Sequence, residues 1–517
     1  MVSRAALGVA AGLIIIANFY YHEEAILPDA LNGDSSAIET CRFLSRSYPD
    51  ITYFPDTADY TAVNEDYFTA ASWLGPRCIF SPTNAELMSF AVIVLRKTNV
   101  PFALRGGGHM PIAGSNNINS TGILLSSSNL KQLRLSGDKS AVLVEPGNDW
   151  GDVYRFLDPH GLSAVGGRLG VVGVPGFLLG GGMSFFGNEH GWGSANVRSV
   201  KAVLADGKIV AATADNEYSD LFWALRGGGN SFAIATEFEL KAVESPVVTV
   251  GNAVYGVGLR DQFLDSVFHF ALDGTLDKKS AVIPNVHWSG TSPDHPFYTS
   301  YLFYNGNNTR PSALANFTGA RLAGNLEDFK ARTMGEWATA GDVELEAIYG
   351  LHFRFHIVSI VASREAMGII HDTFLAFAKE HLASIPGVGT TLTFMPTSES
   401  SLTTRRGRGP RGDPMGIDAS KAPFVWVEES IRFARGEDEE RVTWFLETAN
   451  REMQARLRPL NVGAPYLYLN DADKSQPVFE GYDRANLRRL QGIRAKYDPD
   501  MVFTKQMPGG FKVAGVR

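Results

Sequence analysis

The sequence predicts an α+β protein of more than one domain, on three observations. Two glycine-dense stretches, Arg105 to His109 and Leu169 to Gly182, lie in the first half beside apolar runs of strand length. From Pro246 onward the glycine density falls, and strand-like alternation takes turns with helical spacing, without nucleotide-binding signals. At 517 residues the chain exceeds one ordinary domain and is long enough for a substantial core.

The N-terminus carries Arg4, an apolar run from Ala5 to Phe19, and then His22, Glu23 and Glu24. That is the layout of a secretory signal peptide over residues 1–20, and the run is shorter than the roughly 20 residues of a spanning helix. An uncleaved anchor is the alternative, because Ile16, Ala17 and Asn18 offer no small residue at the outer cleavage position. No later run is long enough to span a bilayer, so no stable membrane span is expected once the signal is removed. Residues 21–59 show no clear period and read as an N-terminal extension. Cys41 and Cys78 are the only cysteines. In an exported chain such a pair more often forms a disulfide than a metal site, and no metal-ligand spacing is present. Sequons at Asn119, Asn307 and Asn316 predict glycosylation. A formal charge of −8 argues against a nucleic-acid partner, and 44% hydrophobic with 20% charged residues suits a soluble globular protein.

The elements follow in order. Pro82 to Lys97 has helical apolar spacing, with Thr83 or Asn84 able to cap it. Val100 to Leu104 and Gly122 to Leu125 read as strands flanking the first glycine loop. Gly106, Gly107 and Gly108 expose their amides there as a nest suited to an anion, typically phosphate, and His109 closes the nest. Ala141 to Gly147 is a strand, Trp150 to Leu157 a helix, and Asn196 to Val210 a hairpin turning at Asp206 and Gly207. Ile234 to Val243 alternates as a strand. Ala281 to Trp288 and Thr299 to Tyr304 follow as strands, and Ala366 to His381 as a helix. Pro465 to Asp471 alternates too, predicting a strand that sets Tyr466, Tyr468 and Asn470 on one face. Further polar candidates are His352, Arg354 and His356, which also alternate, and the adjacent Glu428 and Glu429. Arg405 to Gly412 holds a literal G-x-G-x-x-G, but it follows no strand and opens no helix, so it is no dinucleotide fingerprint.

In order and spacing, the loop Arg105 to His109 with Ser115, the turn Leu169 to Gly182, Asn196 to Val210, Trp223 to Asn230 and the end Lys496 to Asp500 resemble one known family. It is the vanillyl-alcohol-oxidase (PCMH-type) superfamily of flavin enzymes, in its berberine-bridge-enzyme-like branch of FAD-linked oxidases. The resemblance runs from about Tyr60 to the C-terminus. It implies a two-part FAD-binding domain over 60–245, a substrate domain over 246–456 with an antiparallel sheet covered by helices, and a C-terminal segment, 457–517, that returns to the FAD domain. It also implies a Cys41–Cys78 bridge pinning the N-terminal segment.

Carried over residue by residue, the resemblance places the FAD diphosphate on Gly106, Gly107 and Gly108, with Arg105 and Ser115 beside them. Gly173, Gly176, Gly180, Gly181, Gly182, Asn196 and Val197 would approach from the other side, and Gly229 and Asn230 would complete the nucleotide end. His109 matches the position whose imidazole bonds to the flavin ring. Relatives with a second bond carry a cysteine where this chain has Leu169 or Gly170, so a single covalent link is implied. Asn119, close after His109, is the sequon a bound flavin would bury. The segment Tyr466 to Asn470 would pass beside the ring, with Tyr468, then Tyr466, as the general base and Asn470 as a further catalytic residue; Glu428, from the adjacent carboxylate pair and not from the resemblance, is another catalytic candidate. The implied activity is an oxidase of the secretory pathway or extracellular space, taking a hydride from a small organic molecule and passing electrons to molecular oxygen. The runs around His109 and Asp471 point to a fungal secondary-metabolite branch. A dehydrogenase using another acceptor, and a flavoprotein catalysing a non-redox cyclisation, are the alternatives.

Overall fold

The computed structural model of the protein describes residues 36–346, 348–404 and 412–516. The signal read over 1–20 and all of the rejected glycine motif but Gly412 lie outside the described residues. Three sheets organise the chain. The first is four-stranded, in the order β1-β2-β4-β3, from β1 (Thr52–Tyr53), β2 (Ile79–Phe80), β3 (Phe102–Arg105) and β4 (Ile123–Ser126). Here β3 and β4 run parallel, as does β2 with β4. The helix Ala85–Thr98 leads into β3, capped by the Asn84 side chain on the Leu87 amide at 2.8 Å and ended by Asn99 in the left-handed region. Of the two caps the sequence offered, Asn84 is used.

The second sheet is antiparallel and holds β5 (Leu133–Leu135), β6 (Ala141–Val144), β8 (Val197–Val203), β9 (Ile209–Thr213) and the long β10 (Ile234–Glu244), with β7 (Leu162–Ala164) paired to the end of β10. The β8–β9 hairpin and β10 form where alternation placed them, because β10 buries alternate apolar residues on the domain core.

The third sheet is seven-stranded, in the order β14-β11-β13-β12-β16-β17-β15. It comprises β11 (Val248–Val257), β12 (Ser280–Ser289), β13 (Phe297–Tyr304), β14 (Lys330–Arg332), β15 (His352–Val361), β16 (Gly389–Thr397) and β17 (Phe424–Phe433), every pair antiparallel. Helices Arg260–Leu272, Arg364–His381 and Glu439–Leu457 cover one face, Phe263, Ile370, Phe374 and Phe445 sharing a core with Leu392, Val425 and Val427. The other face is left for the first two sheets. Near the C-terminus the helix Arg484–Tyr497 packs back on that side: Lys496 pairs with Asp220 at 2.7 Å, and Arg489 lies over the Trp223 ring at 3.9 Å.

The stretch read as an aperiodic extension is more ordered than its pattern suggested. Ala37–Ser47 is a helix with a Ser36–Glu39 capping box, burying Thr40, Cys41, Phe43 and Leu44. One helix face of four residues is too short to stand out as a period in sequence. A Cys41–Cys78 disulfide ties it to β2, and Phe43 stacks near Phe90 at 6.1 Å. The bridge closes a separation of 37 residues, for which loop entropy predicts about 3–4 kcal/mol of stabilisation. Thiol titration of the denatured, unreduced protein should therefore find no free thiol, and Cys41→Ser/Cys78→Ser should lower the unfolding temperature. Two titratable thiols would contradict the bridge.

Candidate active site

The glycine loops and the uncovered face of the seven-stranded sheet enclose a cavity of about 680 Å³, well within the range for small-molecule sites. Its first wall is the turn after β3. There a Cβ on Gly107 would stand 2.4 Å from the Cα of Gly173, and one on Gly106 would stand 2.6 Å from the Pro175 ring, so the two glycine clusters touch backbone to backbone. Ser115, Gly229 and Asn230 line the same cavity, and Asn230 donates to the Gly509 carbonyl at 3.2 Å.

His109 also lines the cavity, its ring 4.3 Å from Phe68, which rests in turn on Phe353 of β15 at 4.2 Å. Burial pushes the imidazole down to about 4, so it is neutral at neutral pH and a ring nitrogen keeps its lone pair. Arg105 has a different task from the one the sequence suggested. Its guanidinium donates to the Asp66 carbonyl at 2.6 Å, pairs with the Asp66 carboxylate and lies over Tyr67, outside the cavity. It braces the loop rather than touching the cavity.

Other expected cofactor residues also sit behind the wall. Gly181 and Gly182 have φ of +107° and +83° and carry the chain past Trp192 and Phe177, where a Cβ would stand 2.7 and 2.5 Å away. Asn196 spends its amide on the carbonyls of His190 and Trp192, both at 2.9 Å, and Val197 opens β8 in the core. Gly173, Gly176 and Gly180 do line the cavity. Gly180 makes room for Asn470, since a Cβ there would stand 2.2 Å from the Asn470 Oδ1.

The strand expected over Pro465–Asp471 does not form. Residues 466–468 form no strand, and Leu469–Asp471 is a 3-10 turn. The alternation there reflects burial of two tyrosines against Trp426, at 5.2 Å for Tyr466 and 6.4 Å for Tyr468, and not pairing. Tyr466 points its hydroxyl at the Met415 sulfur, 3.2 Å away, and is not part of the cavity wall. Tyr468 is part of it. Its oxygen accepts from the Met183 amide at 3.0 Å and from Asn470 Nδ2 at 3.1 Å. Burial, helped by the charge of Asp471, pushes the phenol up to about 12, opposite to the lowering a tyrosine base requires.

The chemistry gathers elsewhere on this wall. Glu428 on β17, Asp471 in the 3-10 turn and Arg168 from the second glycine cluster all border the cavity beside Tyr468. Burial, and then the neighbouring Asp471, hold the Glu428 carboxyl well above the carboxylate range, while Arg168 pulls it down; burial also raises Asp471. Two carboxyls near one guanidinium form a proton-holding pair. Asp471 and Arg168 had no signal of their own in sequence, since residues 168, 428 and 471 meet only in the fold.

The remaining candidates face the helices. Glu429 accepts from Asn450 at 2.6 Å, and His356 lies 3.4 Å from it. Arg354 binds Asp473 at 3.0 Å. His352 stacks on Phe433, and it is the alternate residues of β15, Phe353 and Phe355, that line the cavity. Asn119 and Asn307 are exposed, and Asn316 is half-buried. Asn119 is not among the residues that line the cavity.

Amide-rich close approach, a buried Asn116 Oδ1 on the cavity wall without a partner among the described residues, and open space beyond Gly176 suit a bound dinucleotide. The family described as FAD binding domain matches residues 76–213. The fold and this site define an FAD-dependent oxidoreductase. The chain is 32% identical over 488 residues to the FAD-dependent monooxygenase prx3 of Penicillium roqueforti, covering 92% of this chain and 93% of that one. It is 30% identical to the bifunctional solanapyrone synthase of Alternaria solani, over 96% of this chain and 94% of that one. Among solved structures, berberine bridge enzyme from Eschscholzia californica superposes with a TM-score of 0.72 at 18% identity, covering 92% of this chain and 99% of that one. The glucooligosaccharide oxidase of Acremonium strictum, described with a 6-S-cysteinyl, 8α-N1-histidyl FAD, superposes with a TM-score of 0.70 at 20% identity, covering 90% and 97%. The chain belongs to the family of FAD-dependent oxidoreductases that includes the Penicillium and Alternaria relatives, and it shares its fold with berberine bridge enzyme.

Proposed function

We propose that the protein is an oxidase of a small organic substrate, a secondary-metabolite intermediate, with FAD bonded to His109 and molecular oxygen as electron acceptor. The observation that carries this is one cavity with a neutral His109 on the first-domain wall and the Glu428–Asp471–Arg168 group with Tyr468 on another. Bound FAD supplies a hydride acceptor. The protein's part is to hold substrate against it and to take the hydroxyl or amine proton whose loss lets the C–H bond release its hydride. Glu428 is the base in this reading. Tyr468, with its oxygen already accepting two hydrogen bonds, keeps its proton and can offer the substrate a hydrogen bond with it.

Support for a single bond comes from the cysteines. Both are in the Cys41–Cys78 disulfide, and Leu169, which with Gly170 stands where doubly linked relatives carry a cysteine, lines the cavity. Acid-precipitated protein should stay yellow, and proteolysis should yield one flavin peptide, containing His109. Flavin on any other residue, or a colourless pellet, would sink the linkage.

The function is tested by anaerobic mixing with a metabolite panel, watching flavin absorbance, then admitting oxygen and measuring peroxide. Bleaching with stoichiometric peroxide is the expected result. Bleaching without peroxide favours a dehydrogenase, and turnover without bleaching a non-redox cyclisation. The monooxygenase names of several relatives motivate a second reading, in which labelled oxygen enters the product. No helix among the described residues is long and apolar enough to cross a membrane. The disulfide and the exposed Asn119 and Asn307 support export and glycosylation.

A further inference from the structure

The sheet wall of the cavity is a grid whose rows are fixed by strand register. The inner row runs Asn285, Thr393, Glu428, and the middle row His287, Thr391, Ser430, Phe355. The outer row is Ser289, Gly389, Arg432, Phe353. Glu428 and Arg432 are four residues apart on β17, about 13 Å along the strand, and both line the cavity. The acid–base group therefore sits at one end of the grid and a guanidinium at the other.

Arg432 lacks a carboxylate or hydrogen-bond partner among the described residues, and it is exposed where it borders the cavity. Among the described residues, the acidic ones on the cavity wall, Glu428 and Asp471, belong to the inner end. Gly389 lets the guanidinium lie across the grid: a Cβ there would stand 2.7 Å from Arg432 Nε. His287, one row inward, does not compete as a cation. Both its ring nitrogens are bonded, to Thr391 at 3.0 Å and Thr299 at 2.9 Å, and burial together with the Arg432 charge pushes it down to about 4. Between the charged ends the wall is apolar or neutral, with Phe297 stacked on His287 at 4.7 Å and Phe353 and Phe355 alongside.

We infer that Arg432 is a specificity residue that receives a carboxylate on the substrate, at the end remote from the carbon that is oxidised. The inference rests on reading this cavity as the oxidation site. It defines the substrate class as a flat, largely apolar organic acid, held by its carboxylate at the outer row and by its reacting hydroxyl or amine at Glu428. A planar guanidinium with open donors suits a carboxylate, which can take two parallel hydrogen bonds from it.

The test uses the flavin-loaded protein and a matched pair of probes, 2-naphthoate and 2-naphthamide, titrated by calorimetry without turnover. Naphthoate should bind roughly ten- to hundredfold more tightly than the amide, the range for a hydrogen bond to a charged group, and the preference should weaken with added salt. It should vanish in Arg432→Gln and be largely kept in Arg432→Lys, with thermal unfolding of both variants near wild type because the side chain is exposed. Equal affinity for the two probes, binding of neither, or a preference that survives in Arg432→Gln would each overturn the inference. The oxidase reading fails separately, by an unbleached flavin in the anaerobic metabolite panel.

Discussion

Glu428→Gln should leave FAD loading intact and slow anaerobic flavin reduction by about 10²- to 10⁴-fold, the range for losing a positioned base. Glutamine keeps the shape of the side chain but cannot take a proton. The wild-type rate should also carry a pH signature. Burial and Asp471 raise the Glu428 pKa, and a base works only when deprotonated. Reduction should therefore quicken as pH rises through a midpoint above the ordinary carboxylate range. That midpoint belongs to the Glu428–Asp471 pair, since the two titrate together, and Asp471→Asn should move it downward by removing the repelling charge. Stopped-flow reduction across pH reads both effects. A glutamine variant that reduces as fast as wild type would remove Glu428 from the mechanism.

What the sequence could show of this site depended on how local each signal was. The nest at Gly106 to His109 was legible because strand, glycines and strand are contiguous, and β3 and β4 fold there for the same reasons. The alternation of β15 was legible as well, but not its sense. His352, Arg354 and His356 drew attention for their chemistry, whereas the helix layer claims that face and leaves Phe353 and Phe355 to the cavity. Tyr466 to Asn470 misled because two tyrosines burying against Trp426 copy a strand's period of two without a strand's partners. Arg168, Glu428 and Asp471 converge from three distant segments, and no spacing along the chain encodes that meeting. Arg105 was found by its neighbours in the motif, yet its side chain turns away to Asp66.

Two glycines on the glycine-loop wall of the cavity should separate packing from ligand space. At Gly107 an added Cβ would stand 2.4 Å from the Gly173 Cα and 2.7 Å from its nitrogen. Both are backbone atoms that cannot swing aside, so Gly107→Ala must push the two glycine clusters apart. We expect it to lower stability by about 1–3 kcal/mol or more and to lose FAD with the distorted nest. Gly176 is the opposite case. It lies in the short helix Val174–Leu179, borders the cavity, and a Cβ there would meet nothing within 4 Å. Replacing a helical glycine with leucine should hold the apo fold or strengthen it by up to about 1 kcal/mol. The side chain must then project into the open space where the cofactor is proposed to lie. Gly176→Leu should therefore unfold at or above the wild-type apo temperature while its flavin-to-protein absorbance ratio falls well below that of wild type. A Gly176→Leu protein that loads FAD like wild type would mean that the cofactor does not pass over this helix, and the proposed placement of its diphosphate would have to move to another part of the cavity.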